Sequence, residues 1–187
     1  MTHPGGDKAK PSIPLYSYPP KRGFGAYKRF WYFFSFVFVL DQLTKSLVVL
    51  LIDYPTYHGE DPITIIPGFF NLVHIGNQGA AWGMLQNQQP FLLLLAVLSL
   101  VAIYIFRHPL ELMDRRMQLV FGLLCGGILG NVLDRILYGH VVDFLDFHIP
   151  LIWTTYRWPA FNIADAGIVS GVILYLFFSL TAPKEEK

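Results

Sequence analysis

Four long apolar stretches constrain this chain more than any other feature. A membrane-spanning helix needs ~20 mostly apolar residues, and segments 30–52, 90–106, 117–137 and 161–180 meet or approach that length. The second is short, but only Ser99 and Tyr104 interrupt it. Pro90 suits a first helical turn, where its missing N–H costs nothing. Charged residues make up 14% of the 187 and hydrophobic residues 53%. Soluble domains carry about 25% charged residues, so too few remain here to cover a water-facing surface. The mean hydropathy of +0.43 agrees. The expected class is an integral membrane protein. A single cysteine, Cys125, excludes a disulfide framework and a Cys-rich zinc module. It lies inside the third stretch, where its expected role is packing. The net charge of +1 carries no nucleic-acid footprint.

The placement of Lys and Arg orients the bundle. Six lie before the first span (Lys8, Lys10, Lys21, Arg22, Lys28, Arg29), three between the second and third (Arg107, Arg115, Arg116) and two in the tail (Lys184, Lys187). The 53–89 loop has none and the 138–160 loop only Arg157. Eleven against one puts both termini in the cytoplasm under the positive-inside rule. Residues 1–29 are expected as a flexible basic cytoplasmic tail, 30–180 as one four-span domain and 181–187 as a second short tail. The first span is not read as a cleaved signal peptide, because Asp41 and Lys45 interrupt it before any small-residue cleavage site.

The outward-facing 53–89 loop is too long for a mere connector. Residues 63–75, β-branched and aromatic around Pro67-Gly68, predict a hairpin. Residues 80–86 predict a short interfacial helix carrying Trp82, Met84 and Leu85.

A charge inside a span costs at least ~2.5 kcal/mol on insertion scales, so each one asks for a reason. Asp134 and Arg135 end the third span, Asp143 and Asp146 follow it, and Asp165 lies in the second turn of the fourth. All five are expected near the outer membrane surface. The inner halves of spans two to four carry no charged residue or His. That favours a one-sided site over a transport path. Gly127, Asn131 and Arg135 recur at i, i+4, i+8 on one stripe. Gly122, Gly126 and Gly130, and separately Gly167 and Gly171, form GxxxG patterns that let helices approach closely. Asn162 and Asp165 share a face at i, i+3.

Two carboxylates in a partly dry site form an acid–base pair, because like charges close together cannot both ionise cheaply and one proton is shared. Residue chemistry leaves Asp134, Asp143, Asp146 and Asp165 all eligible. Asp41 and Lys45, at i, i+4, read as an intramembrane ion pair with Lys45 reaching outward, or as a site for something polar at the lipid surface. His140, Asp143, Asp146 and His148 are metal-capable types in one short segment, but their spacing matches no strong ligand motif. His58 and His74 are isolated. A metal-dependent membrane hydrolase using His140 and His148, and a non-enzymatic transporter or lipid-binding protein, are the competing readings.

Five motifs in order carry a resemblance: Asp41-Gln42-Leu43-Thr44-Lys45 (D-x-x-T-K), Asn77-Gln78-Gly79-Ala80-Ala81-Trp82 (N-x-G-A-A-W), Gly126-Gly127 through Gly130-Asn131 to Asp134-Arg135 (G-G-x-x-G-N-x-x-D-R), Val141-Val142-Asp143-Phe144 (V-V-D-F) and Phe161-Asn162-Ile163-Ala164-Asp165 (F-N-x-A-D). With these motifs the sequence resembles the bacterial lipoprotein signal peptidases, or signal peptidase II, over residues 30–180. The resemblance implies Asp143 and Asp165 as the catalytic aspartates. It implies Asp41, Asn77, Gly127, Asn131, Arg135 and Asn162 as supporting residues, with Lys45 and Asp134 beside them in the same motifs. It implies an all-α membrane fold of four transmembrane helices with a small extracytoplasmic β-cradle and a short outer helix. The implied substrate is a prolipoprotein cut immediately before a diacylglyceryl-modified Cys. The expected setting is the bacterial plasma membrane, with the site near the outer leaflet. No metal or other cofactor is expected, and the partners are the substrate and membrane lipids, with the protein acting as a monomer.

Overall fold

The computed structural model describes residues 24–56, 62–80, 84–151 and 153–181. A 3-10 turn, Phe24–Tyr27, leads into α1 (Lys28–Leu51). Strands β1 (Ile63–Ile66) and β2 (Phe70–Asn77) follow, then α2 (Gln89–Ile105) and α3 (Arg115–Tyr138). Strands β3 (Val141–Pro150) and β4 (Thr155–Arg157) precede α4 (Ile163–Thr181).

The helix boundaries have local causes. The Asp114 side chain caps α3 by accepting from the Arg116 and Met117 N–H groups at 2.6 and 3.2 Å. Gly139 ends α3 in the left-handed conformation, φ 72°. Asn162 caps α4: its Oδ1 accepts from the Asp165 N–H at 2.9 Å, and Asp165 Oδ2 accepts from the Asn162 N–H at 3.3 Å. This reciprocal capping box starts α4 after Asn162, so Asp165 stands in the first turn and not the second.

Residues 25–51, α3 and α4 are long and apolar enough to cross a membrane. With 17 residues, α2 is apolar but shorter. At 1.5 Å per residue it reaches about 26 Å, slightly less than a ~30 Å hydrocarbon core.

Helix α3 is the central element. Among the helices it packs against α1, α2 and α4, and it carries the largest buried face. Its glycines have no room for a Cβ. At Gly122 and Gly126 one would strike the α1 backbone at Phe30 and Phe34, and at Gly127 the Ala164 carbonyl. Gly167 and Gly171 lie equally close to Val37 and Leu124. The GxxxG patterns therefore do pack helices, and Gly127 brings the ends of α3 and α4 together. Leu and Phe side chains on the outer faces of α1, α2 and α4 are exposed, as a lipid-facing surface requires.

The four strands form one antiparallel sheet in the order β1-β2-β3-β4. The fold is therefore not all-α. The predicted 63–75 hairpin is present as β1 and β2, and its partner is β3, a segment whose apolar residues do not alternate and so carry no strand pattern. Strand β3 does not alternate: its first four residues, Val141 to Phe144, are all buried. Val142 and Phe144 pack on Val48 and Ile52 at the end of α1, and Val141 and Asp143, on the other face of the strand, are buried as well. The described part of the predicted 80–86 segment is not helical. Residues 81–83 lie outside the described residues, and Met84–Asn87 form turns. Leu85 and Asn87 have positive φ (56° and 64°), which interrupts helical geometry. The Asn87 N–H instead closes the loop onto the Gln78 carbonyl at 3.2 Å.

Candidate active site

Strand β3 and the first turn of α4 bring Asp143 and Asp165 to the wall of one cavity of about 1370 Å³. Asp143 lies opposite Ile75 in the β2–β3 register, just beyond an irregularity in the pairing. Such irregularities re-aim side chains.

Both carboxylates are held by neutral N–H donors. Asn77 Nδ2 and Asn162 Nδ2 donate to the two oxygens of Asp143 at 2.9 and 2.7 Å. Asn131 Nδ2 donates to Asp165 Oδ1 at 2.8 Å, and the Asn162 backbone donates to Oδ2. Asn162 thus touches both aspartates and is itself fully buried. Asp143 is 2% exposed. Burial first, and the charge of Asp165 second, push its carboxyl up to about 8. A neighbouring carboxylate that raises a second one is the physical signature of a shared proton.

A second network lies behind this pair. Lys45 Nζ donates to Asp41 Oδ2 at 2.9 Å, Asp134 Oδ2 at 2.8 Å and Asn131 Oδ1 at 2.9 Å. Its three N–H bonds are all used, and Lys45 is 2% exposed. The expected ion pair is real, but Lys45 does not reach outward, and this network presents nothing to the lipid surface. Asp41 Oδ1 accepts from the Ala164 N–H at 2.8 Å, and Asp134 Oδ2 from the Val142 N–H at 3.0 Å. Each aspartate of the inner network therefore grips the backbone immediately before one aspartate of the outer pair. Gln42 bridges Asp41 and Asp134, both at 3.1 Å. Sequence reasoning passed over Gln42. The signal was there: an amide inside a span also needs a partner.

Arg135 lines the same cavity. It donates to the Asn131 and Gly79 carbonyls at 3.2 Å each, and its buried Nε has no hydrogen-bond partner among the described residues. The Gly127, Asn131, Arg135 stripe thus runs from a helix contact through a ligand of Asp165 to the cavity wall. Asn77 has a second task, accepting from the Gly79 N–H at 2.8 Å.

Asp146 stands apart from the pair. The spacing of three along β3 turns it to the opposite face from Asp143. There it accepts from Arg157 Nε and Nη2 at 2.8 and 3.0 Å, and its Oδ2 lies 2.9 Å from His148 Nε2. Burial works to raise it, but the hydrogen bonds and charges of Arg157 and His148 outweigh that and hold it below the usual carboxylate range. His140 stacks on Tyr54, with ring centroids 5.6 Å apart. The four metal-capable residues of this segment thus do not converge: Asp146 and His148 meet each other and Arg157, Asp143 meets two amides, and His140 stacks on Tyr54. No group of three His, Cys, Asp or Glu side chains suited to a metal ion forms among the described residues. His74 is buried against the Ile52 carbonyl, while His58 lies outside the described residues.

Away from its polar corner the cavity is apolar. Phe69, Phe147, Trp158, Phe161 and Val169 form much of its wall. A polar pair in a cavity with a largely apolar wall suits a substrate with a backbone to be attacked and a hydrophobic body to be held.

Comparison with known proteins places the chain in a family and matches its fold. Residues 33–181 match the family described as Signal peptidase (SPase) II. A lipoprotein signal peptidase of Symbiobacterium thermophilum is 42% identical over 148 residues, covering 78% of this chain and 91% of the relative. One of Syntrophotalea carbinolica is 38% identical over 148 residues, covering 76% and 84%. A solved structure described as a bacterial membrane enzyme, determined by the in meso method at 2.3 Å resolution, superposes with a TM-score of 0.71 at 35% identity, over 88% of this chain and 94% of that one. A second bacterial membrane enzyme, determined by the same method at 1.9 Å, gives 0.69 at 33% identity, over 86% and 96%.

Proposed function

The chain belongs to the signal peptidase II family, and from that premise we propose that it cleaves by aspartic chemistry at Asp143 and Asp165. It is a multi-pass membrane protease that removes signal peptides from prolipoproteins. The observation that carries the aspartic reading is the shared setting of these two carboxylates. Both line one cavity, both are held by amide or backbone N–H groups, and among the described residues no cation is hydrogen-bonded to either.

A water molecule between the carboxylates gives a proton to the ionised member while its oxygen bonds to the scissile carbonyl carbon. The protonated member donates to the carbonyl oxygen as charge develops there. The proton taken from water then passes to the leaving nitrogen as the C–N bond breaks. The pair ends with one proton, as it began. Arg135, whose guanidinium side chain lines the cavity, is a donor for a substrate backbone carbonyl.

The same reading extends to substrate and orientation. The bond cut is the one before a Cys that carries diacylglycerol. Both termini lie in the cytoplasm and the aspartates face the outer leaflet, as the Lys and Arg asymmetry supports. Each buried CH₂ contributes ~0.8 kcal/mol of anchoring, so two acyl chains fix the depth of the Cys. A ~1 Å misplacement can cost ~100-fold in rate. The test is competition between a diacylated lipobox peptide and its free-thiol counterpart in the same micelles. The diacylated peptide should have a kcat/KM at least ~100-fold higher. Equal values would end the depth-setting argument.

A further inference from the structure

A second cavity, of about 380 Å³, lies at the far end of the bundle from the aspartates, where α1 and α3 begin. Its lining includes Gly25, Ala26, Lys28, Arg29, Arg115 and Gln118. We propose that it is a binding site for the phosphate-bearing headgroup of an anionic phospholipid.

The walls are held in place from below. Helix α1 has no side-chain N-cap of its own. Gln118, buried in α3, performs that task from across the cavity: its Oε1 accepts from the Arg29 and Phe30 N–H groups at 3.2 and 3.4 Å. Its Nε2 donates to the Ala26 carbonyl at 2.8 Å. One buried amide thus ties the 3-10 turn and the start of α1 to α3 and fixes the floor. The N–H groups at the head of α1 are partly spent on Gln118, so the attraction for an anion comes from the side chains.

Those side chains carry three positive charges around one concavity. None of Lys28, Arg29 and Arg115 takes part in an ion pair among the described residues. The neighbouring carboxylate, Asp114, caps α3 and forms no ion pair with them among the described residues. Like charges gathered without a counter-ion repel, and an anion placed among them relieves the repulsion. Two arginines supply the planar forks that suit phosphate oxygens, and Lys28 adds a point charge.

Depth decides which anion. Tyr27, Trp31 and Tyr32 lie within a turn or so of the start of α1, and Trp and Tyr gather at headgroup level. The basic end of the bundle is also the end that the charge asymmetry turns toward the anionic cytoplasmic leaflet. A tethered lipid phosphate is present there at far higher local concentration than a soluble one. The site does not involve the aspartates, so its failure would leave the peptidase assignment untouched.

The test uses the full-length protein in a neutral detergent and follows its Tm as phosphatidylglycerol, phosphatidylcholine or inorganic phosphate is added. Phosphatidylglycerol should raise Tm by about 3 °C, phosphatidylcholine by less, and inorganic phosphate not at all. Arg29→Gln with Arg115→Gln should abolish the phosphatidylglycerol shift. Arg107→Gln with Arg116→Gln removes the same charge from the same side and should keep it. Gly25→Leu retains every charge and fills the cavity. Its Cβ direction meets only the flexible end of Lys28 at 3.7 Å, so it should fold and still lose the shift. A shift equal for the two lipids, reproduced by inorganic phosphate, or retained in Gly25→Leu would overturn the proposal.

Discussion

Asp41 and Asp134 face a cation, whereas Asp143 and Asp165 face amides. The four carboxylates belong to adjoining parts of the same end of the bundle and share Asn131 as a neighbour: it accepts from Lys45 and donates to Asp165. Removing a carboxylate from water costs several kcal/mol, and the two pairs meet that cost differently. The inner pair shares one cation, Lys45, and each member also accepts from a backbone N–H group. The outer pair has only neutral donors and lines a cavity. Its economical solution is to hold one proton between two acids. A locked charge is a brace and a shared proton is a reagent, so the difference between the pairs lies in their partners, not in residue type.

The sharpest way to break the comparison is to remove an ionisable oxygen from the outer pair. Asp143→Asn and Asp165→Asn keep the shape but cannot pass a proton, and each should lower kcat by ~1000-fold or more. Membrane insertion and Tm near neutral pH should be little changed. If Asp146→Asn gave that loss and Asp143→Asn did not, the pair has been wrongly assigned.

Removing the inner cation should do the reverse. Lys45→Met leaves two aspartates buried without their counter-charge and should destabilise the protein by ~3–5 kcal/mol. A large drop in Tm and in folded yield would report this. Adding Asp41→Asn and Asp134→Asn to Lys45→Met removes the stranded charges together and should recover much of the Tm. A single variant as stable as wild type would show that the brace is dispensable.

The proton itself sharpens the contrast. Asp143 has its pKa raised by burial and by Asp165, so its protonated form is favoured in the folded state. Its contribution to stability is full below the ordinary carboxylate range of about 4 and is lost as pH rises through about 8. The kcat/KM profile should fall through the same upper range as the pair loses its shared proton. Wild-type Tm should decline as pH rises from about 4 to about 8, and Asp143→Asn should remove that part of the decline. A profile flat to pH 10 would contradict proton sharing.

The smallest effect belongs to Asp146. Its pKa is lowered, so its contribution is present above about pH 4 and fades as pH falls further. Arg157, whose side chain is 41% exposed, can return to water when the pair is broken. Asp146→Asn should therefore cost about 1 kcal/mol at pH 7 and less than ~10-fold in activity. A loss as large as that of Asp143→Asn would make Arg157 part of the chemistry rather than of the cavity rim.

Much of this arrangement is legible in the sequence because a bilayer makes local features expensive to fake. Apolar length identifies the helices, and unexplained polar residues inside them identify the region of the site. The glycine spacing announces that α3 meets its neighbours closely, and the motif order points to the family. Other features needed the folded chain. The V-V-D-F segment reads as a loop beside the third helix because its apolar residues do not alternate. They do not alternate because β3 is covered on both faces, and only its contacts with α1 and β2 reveal that. The turns at Met84–Asn87 likewise follow from closure onto Gln78, not from local apolar pattern.

The sequence by itself determined that the chain crosses a membrane, that its small residues draw helices together, and that aspartates gather toward one end. Each of these is a property of residue type and spacing along one element. Tertiary structure decided which aspartates are reagents and which are braces. Asp134 and Asp165 are both helical carboxylates near Asn131. Yet one lies 2.8 Å from Lys45, a residue 89 positions away in sequence, and the other is hydrogen-bonded, among the described residues, only by amide and backbone N–H groups. A carboxylate's protonation depends on the charges and dipoles within a few ångströms, and those neighbours come from four separate segments that only the fold brings together.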